Sequence, residues 1–266
     1  MRILFSTAAV LLATAFHAKA AHICTIIADV ADDSIVAQTG DCNTQVTPAS
    51  TFKVPLALIG FDSGFLTSEH EPVLSPEKGD PGYGGDAWRR ENDPKSWLEF
   101  SVVWYSQRIT RELGAERLTQ YLRAWNYGNT DFSGDQGKDN GLERAWIASS
   151  LKVSPKEQVR FLGALVRNEL KATPEAMVQT RNIMQQWDSA DGWTIKGKTG
   201  MAYPRKPDYS FDYARAYGWF VGWAEKDGKT YTFARLLQND KKDQPTPSNV
   251  ARGEILRDFS KLLTTN

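Results

Sequence analysis

The hydrophobic period of this chain changes along its length, and the order of the changes restricts the possible folds. Residues 24–42 alternate as strands do, and residues 50–66 and most of 96–187 show helical periodicity. Three strand-like segments then precede a last helix: "WTIKGKTGMA", "AYGWFVGWAEKDG" and "KTYTFARLLQ", followed by "VARGEILRDFSKLL". This order predicts an α/β protein of the α+β type. One antiparallel sheet is built from both chain ends and flanked by helices, with an all-helical lobe inserted between them.

The first twenty residues are typical of an export signal rather than of a folded domain. "MRILFSTAAVLLATAFHAKA" combines a basic start, an apolar run and a small-x-small end. We therefore expect a signal peptide over residues 1–20 and a secreted, periplasmic protein exported as in Gram-negative bacteria. An uncleaved anchor is the alternative, although the run is short for a membrane span. We expect a single domain over 21–266, with a sheet lobe at about 21–66 and 190–266 and a helical lobe at about 67–189.

The charge balance excludes two classes of partner. The whole chain has 32 basic and 32 acidic residues, and removal of Arg2 and Lys19 with the signal leaves 30 basic ones. Such a chain lacks the excess of basic residues that binds nucleic acid, and it has no basic tail for a membrane surface. We therefore expect no nucleic acid partner, and no membrane association after signal removal.

The two cysteines lie in the first strand-like region. Cys24 and Cys42 are symmetric about Asp33, in a segment that reads as strand, turn and strand. A hairpin that closes there would place the cysteines opposite each other. In an oxidising compartment this arrangement predicts a disulfide, with two free buried thiols as the alternative.

A serine and a lysine lie three residues apart at the start of the first helix. In "PASTFKVPLALIG", Pro55 favours a helix that begins at about Thr51, because proline is tolerated in the first turn. Ser50 is then at the helix N-terminus and shares a face with Lys53. Burial would lower the pKa of this lysine, and a neutral amine can act as a base or react with carbon dioxide. The alternative is that Lys53 points outward and keeps its charge in water.

Histidine offers no obvious competing base or metal site. Of the three histidines, His17 belongs to the predicted signal, His22 follows it and His70 lies in a polar loop. No "GxSxG" elbow and no regular cluster of Cys, His and carboxylates occurs, so the sequence predicts neither a histidine triad nor a metal centre.

Several weaker motifs follow in order. Ser101 lies in "FSVVW", which we interpret as the inside of a helix; "YGN" covers 127–129, and "KTG" covers 198–200 on a strand. Arg252 lies near the start of the last helix. Each motif alone has an ordinary structural explanation, and "SxV" recurs at Ser34 and Ser248. The pattern "SxxK" also recurs, in the charged "SPEK" and in the turn "SSLK".

Taken together, "STFK", "SVV", "YGN" and "KTG" resemble the class D serine β-lactamases. These are the oxacillinase-type members of the penicillin-recognising serine enzymes. The resemblance extends through "PASTFK", "WYSQRITRELG", "YGNTDFSG", Trp146 and "GWFVGW". It implies the β-lactamase/transpeptidase-like fold and the hydrolysis of penicillin-type antibiotics, with antibiotic resistance as the result. Within the segment 240–252, the stretch between its proline and Arg252 is one residue shorter than in some relatives.

The resemblance also implies a role for each matching residue. Ser50 would attack the β-lactam carbonyl. Lys53, carbamylated by carbon dioxide or bicarbonate, would be the general base. The other implied roles are proton transfer by Ser101 and Lys198, an oxyanion hole from the N–H groups of Ser50 and Met201, carboxylate binding by Thr199 and Arg252, a substrate path along Gly200, a pocket rim at Trp88, and carbamate support by Trp146 and Val103.

The implied partner is a small β-lactam, without a metal ion or organic cofactor, and the choice between monomer and homodimer stays open. Two other functions share these motifs. A β-lactam sensor domain would stay acylated, and a penicillin-binding transpeptidase need not hydrolyse its adduct quickly. A sensor is attached to a transmembrane segment, and no second apolar span is visible.

Overall fold

The structure of the protein, a computed structural model, describes residues 20–264. The predicted signal peptide therefore lies outside the described residues, apart from its last one. Six strands form one antiparallel sheet in the order β2-β1-β6-β5-β4-β3. The strands are β1 (Ala21–Asp29), β2 (Ile35–Gly40), β3 (Gln185–Asp188), β4 (Thr194–Ala202), β5 (Tyr217–Lys226) and β6 (Lys229–Gln238). The pairing of β1 with β6 confirms a sheet built from both ends of the chain.

Helices cover both faces of this sheet. They are α1 (Lys53–Asp62), α2 (Pro94–Phe100), α3 (Val103–Ala124), α4 (Gly141–Arg144), α5 (Pro155–Val166), α6 (Pro174–Asn182) and α7 (Pro247–Leu263). Trp219 and Val221 of β5 join the larger core with α1 and α5, whereas Phe220 joins a second core with α7. Burial on both sides explains why β5 reads as a continuous apolar run rather than an alternating one. Within residues 20–264, no helix is long and apolar enough to cross a membrane.

Local sequence signals are confirmed where they depend on neighbouring residues. Ser154 accepts a hydrogen bond from the Glu157 N–H, and the Glu157 side chain accepts one from the Ser154 N–H, so the predicted capping box starts α5. The β5–β6 turn has positive φ angles at Asp227 (49°) and Gly228 (75°). Such angles are typical of a tight hairpin turn.

Two helical predictions are wrong at their ends. Helix α2 stops at Phe100, and Ser101 adopts a left-handed conformation (φ 57°) instead of continuing a helix. The apolar residues on both sides hid this break, because Val102 and Val103 are buried as well. The segment 185–188 is an edge strand on β4 rather than a helix end. Trp187 packs there against Phe220, with ring centroids 5.6 Å apart.

The predicted hairpin and its disulfide are present, with a different register. Cys24 pairs with Gly40 in the ladder, not with Cys42, and a bulge follows Ile27. Cys42 lies two residues beyond this partner and bonds Cys24 across a Cα–Cα distance of 5.2 Å. The exact pairing depended on the turn and the bulge, which spacing alone does not specify.

We expect the double variant Cys24→Ala/Cys42→Ala to lose about 3 kcal/mol of unfolding free energy, because the bond closes a short loop in the unfolded chain. Urea unfolding under oxidising conditions measures this loss. Reduced wild-type protein should lose a similar amount, and the double variant should not respond to reductant. An unchanged urea midpoint in the variant would contradict the prediction.

Candidate active site

Ser50 and Lys53 meet at the junction of two helical turns. A 3₁₀ turn over Ala49–Phe52 leads directly into α1, whose first residue is Lys53. The Lys53 Nζ lies 3.4 Å from the Ser50 Oγ. Pro55 lies in the first turn of α1, as expected, although the α-helix begins two residues later than predicted.

Lys53 is completely buried, so the alternative of a solvated lysine is wrong. Burial is the main reason that its pKa lies well below the usual lysine value, and the positive charge of Lys198 lowers the pKa further. No carboxylate among residues 20–264 forms an ion pair with it. The site therefore favours a neutral amine beside the serine hydroxyl.

A second serine–lysine pair is assembled from distant parts of the chain. Lys198 of β4 donates a hydrogen bond to the Ser101 Oγ at 2.5 Å and another to the Thr199 carbonyl at 3.1 Å. The left-handed conformation of Ser101 ends α2 at this contact. Lys198 is also buried. Burial, followed by the positive charge of Arg252, lowers its pKa to about 7.

Strand β4 approaches the 3₁₀ turn closely because residue 200 is glycine. A Cβ atom there would lie 2.9 Å from the Pro48 carbonyl oxygen and 3.0 Å from the Thr51 nitrogen. This approach forms a cleft of about 240 Å³ that contains both serines. Its lining residues are Ala49, Ser50, Tyr83, Trp88, Ser101, Val103, Ile147, Thr199, Gly200, Met201 and Ser248.

Trp88 and Val103 form part of the cleft wall opposite β4. Both are nearly buried, and the Trp88 Nε1 donates to the Phe100 carbonyl at 2.8 Å. The absence of a side chain at Gly84 is necessary, because a Cβ atom would lie 2.0 Å from the Trp88 ring. Tyr83 packs on Trp88 with ring centroids 4.8 Å apart and remains exposed.

Trp146 packs against the 3₁₀ turn that carries Ser50, and its indole nitrogen is buried. Its ring stacks on Phe52, the residue before Lys53, at a centroid distance of 5.6 Å. Its Nε1 forms no hydrogen bond with any described residue. A buried N–H without an acceptor is costly, and such an atom in a native structure indicates a missing partner or a functional role.

Comparisons with known proteins agree with this arrangement. Residues 23–261 match the family described as the penicillin binding protein transpeptidase domain. The chain is 42% identical to β-lactamase OXA-9 of Klebsiella pneumoniae over 243 residues, which cover 90% of this chain and 88% of that protein. It is 35% identical to β-lactamase OXA-1 of Escherichia coli over 217 residues, 80% of this chain and 75% of that one.

The chain belongs to the class D β-lactamases. The crystal structure of the class D β-lactamase OXA-427 superposes with a TM-score of 0.81 at 44% identity, covering 90% of this chain and 96% of that one. The recognition from sequence and the predicted fold are thus confirmed. Members of this class are metal-independent serine hydrolases of cyclic amides.

The "YGN" motif of this class D β-lactamase supports the fold around the cleft and does not line it. Tyr127 is buried, and its hydroxyl donates to the Gln158 Oε1 at 3.4 Å. Gly128 has a φ of 57°, and a Cβ atom there would lie 2.1 Å from the Lys152 carbonyl oxygen. The Asn129 side chain donates to the Ser150 carbonyl at 2.8 Å.

A larger cavity of about 480 Å³ lies between residues 129–152 and the β4–β5 connection. Ser149 and Lys152, the third "SxxK" pair along the chain, line it, but the Ser149 hydroxyl donates to Asp135 at 2.9 Å. Arg205 from the connection also binds Asp135 and donates to the Ala148 carbonyl. These bonds hold the chain next to Trp146 in place, and the cavity contains no exposed serine beside a buried lysine.

Arg252 does not occupy the carboxylate-binding position in the cleft that the sequence predicted for it. Its guanidinium lies 5.6 Å from the Trp187 ring centroid, and it does not line the cleft. Ser248, one helical turn earlier on α7, does line it. The sequence pointed to Ser248 only through a recurrent "SxV" pattern, and nothing in the sequence marked Tyr83 or Ile147.

We expect Gly200→Ala to reduce kcat/KM for a chromogenic β-lactam by about a hundredfold, because the new Cβ forces β4 away from the turn that carries Ser50. Steady-state kinetics measure the loss.

Gly253→Ala is the matched control, since a Cβ atom there meets nothing within 4 Å on α7. This variant should retain activity and gain up to about 1 kcal/mol of stability from helix propensity. Equal activity of the two variants would show that the close approach of β4 is not required.

Proposed function

We propose that this protein hydrolyses the β-lactam ring of penicillin-type antibiotics through an acyl-enzyme on Ser50, with carbamylated Lys53 as the general base, and thereby gives resistance. The observation that carries the proposal is the completely buried Lys53 amine, 3.4 Å from a serine hydroxyl in the wall of the cleft. A solvated lysine would remain protonated at neutral pH and could not accept the serine proton.

Acylation and deacylation use the two serine–lysine pairs differently. The Ser50 oxygen bonds to the lactam carbonyl carbon as its proton leaves toward the base at Lys53. The N–H groups of Ser50 and Met201 stabilise the developing oxyanion, and the carbon–nitrogen bond of the ring then breaks. Ser101, bonded to Lys198, delivers the proton that the ring nitrogen acquires. Water hydrolyses the resulting ester and restores Ser50.

The surroundings of Lys53 fit a carbamate. A neutral amine forms a nitrogen–carbon bond with carbon dioxide and releases a proton, which leaves an anionic group. The unpaired Trp146 Nε1 is a donor of the kind that such an anion requires. Val103, 6% exposed, shields the group from water. The positive charge of Lys198 makes the free amine of Lys53 a weaker base. An anionic carbamate on Lys53, when present, would be the better base.

The same proposal covers the organisation and location of the chain. The family match over residues 23–261 supports one catalytic domain over 21–266. The first twenty residues would export it, and the substrate would reach it as a free small molecule. We infer that the Trp88 ring borders the bound substrate, since it lines the cleft.

The purified protein should hydrolyse many equivalents of a chromogenic β-lactam, and Ser50→Ala should abolish turnover. Mass spectrometry over time should show an adduct of Ser50 that forms and decays within seconds. If the adduct forms once and persists, the hydrolase proposal fails and a sensor or transpeptidase is favoured. If Ser50→Ala remains fully active, the nucleophile is misassigned.

We expect Trp146→Phe to need about tenfold more bicarbonate for half-maximal activity, because it removes a donor to a charged group. Titration with bicarbonate, and ¹³C NMR of the carbamate formed from labelled bicarbonate, measure the effect.

Trp125→Phe is the matched control, because this buried tryptophan donates to the Lys171 carbonyl at 3.3 Å and does not line the cleft. It should keep the bicarbonate dependence of the wild type. An identical bicarbonate requirement in Trp146→Phe and the wild type would contradict carbamate support by Trp146.

A further inference from the structure

Thr47 lies three residues before Ser50 and joins three parts of the chain. Its side chain is buried, and its hydroxyl donates to the Trp146 carbonyl at 2.9 Å. The Ala148 N–H donates to the same hydroxyl oxygen at 3.0 Å. The Thr47 carbonyl accepts a hydrogen bond from the Trp219 Nε1 of β5 at 2.9 Å. One buried residue thus links the segment before the nucleophile to the sheet and to the chain around Trp146.

The backbone on both sides of these bonds is strained and needs support. Ala49 and Ala148 have φ angles of 50° and 54°, in the left-handed region that a residue with a Cβ atom rarely adopts. Both belong to a small apolar cluster with Ala202 at the end of β4, and Ile147, the neighbour of Ala148, lines the cleft. Such positions persist only where surrounding contacts fix them, and the Thr47 hydroxyl is bonded directly to one of them.

Two contacts connect Trp146 to the segment that carries the nucleophile. One is the stacking of its ring on Phe52, and the other is the hydrogen bond from Thr47 to its carbonyl. Stacked rings tolerate sliding in their planes, whereas a hydrogen bond depends strongly on distance and angle. The indole N–H has no acceptor among the described residues. The Thr47 hydroxyl is therefore the directional contact between this segment and Trp146.

We propose that Thr47 is a positioning residue, whose hydroxyl holds Trp146 in place relative to the turn that carries Ser50 and Lys53, and so favours the carbamate on Lys53. This inference rests on the proposed function, in which the Lys53 Nζ bonds to the carbon of carbon dioxide and a proton passes to water. Thr47 does not line the cleft, so it acts through Trp146 and not on the substrate.

Thr47→Val keeps the shape of the side chain and leaves the Trp146 carbonyl and the Ala148 N–H without this partner. We expect the variant to need about tenfold more bicarbonate than the wild type for half-maximal turnover of a chromogenic β-lactam. Thr47→Ser, which retains the hydroxyl, should stay within about twofold of the wild type. Added to Trp146→Phe, Thr47→Val should raise the requirement by no more than about twofold, because both changes act through one donor. An unchanged requirement in Thr47→Val, a serine variant that behaves like it, or a full additional effect in Trp146→Phe would overturn the inference.

Thr180→Val is the matched control for the loss of a buried hydroxyl. This side chain is inaccessible to solvent, donates to the Ala176 carbonyl at 2.7 Å and does not line the cleft. The variant should keep the bicarbonate requirement of the wild type, even where its urea midpoint falls. An equal rise in Thr180→Val and Thr47→Val would show a general effect of stability and overturn the inference.

Trp219→Phe keeps the test decisive if Thr47→Val does not fold, because it retains the hydroxyl and removes only the donor to the Thr47 carbonyl. Its bicarbonate requirement should rise about threefold. In the absence of folded Thr47→Val protein, an unchanged requirement in Trp219→Phe overturns the inference.

Fluorine NMR of protein labelled with fluorotryptophan separates this inference from the proposed function. The Trp146 resonance is the one that disappears in Trp146→Phe. Thr47→Val should displace this resonance, and Thr47→Ser should not. An undisplaced resonance in Thr47→Val contradicts the positioning role, whichever base the enzyme uses. Wild-type turnover that does not respond to bicarbonate would instead refute the carbamate, and the resonance would still decide whether Thr47 positions Trp146.

Discussion

The burial of two lysine side chains in one cleft is the constraint on which the rest of this structure depends. Lys53 and Lys198 are both inaccessible to solvent, and neither forms an ion pair within residues 20–264. Two buried cations this close would be very unfavourable, so the site favours neutral amines. Their approach requires β4 to lie against the 3₁₀ turn, which Gly200 alone permits. The same feature that destabilises the fold gives it amines able to accept protons at neutral pH.

Because Lys198 is buried, the stability of the folded protein depends on pH in a definite direction. The pKa of Lys198 is about 7 in the folded protein against an ordinary value of 10.5. Between these two values the unfolded chain binds the additional proton, so the contribution of this group to stability rises with pH over that window. Below about pH 7 the folded protein must bury a charged ammonium. Such a cost at a catalytic site is the usual compromise between stability and activity.

The parts of the structure that could be predicted from the sequence are those set by short spacing. The Ser50–Lys53 pair is predictable because residues three apart share a helix face. The Ser154 capping box is predictable because both of its residues lie close together in the sequence. Ser101 could not be placed in the same way, because its left-handed conformation is stabilised by Lys198, 97 residues away. The apolar residues on both sides of Ser101 look, in the sequence, like part of one continuous helix. Ser248 and Arg252 differ by one helical turn, and only the docking of α7 on Gly218 decides which of them lines the cleft.

The charges in the cleft are linked through Lys198. An anion bound beside this lysine stabilises its protonated form, and by reciprocity the protonated form binds the anion more tightly. A substrate carboxylate would therefore raise the pKa of Lys198 from about 7 as it binds. A carbamate on Lys53 would act in the same direction and replace a neutral amine by a negative charge. With both anions in place the cleft would become a compensated ion cluster, and Lys198 would acquire the proton that the proposed mechanism passes through Ser101 to the ring nitrogen.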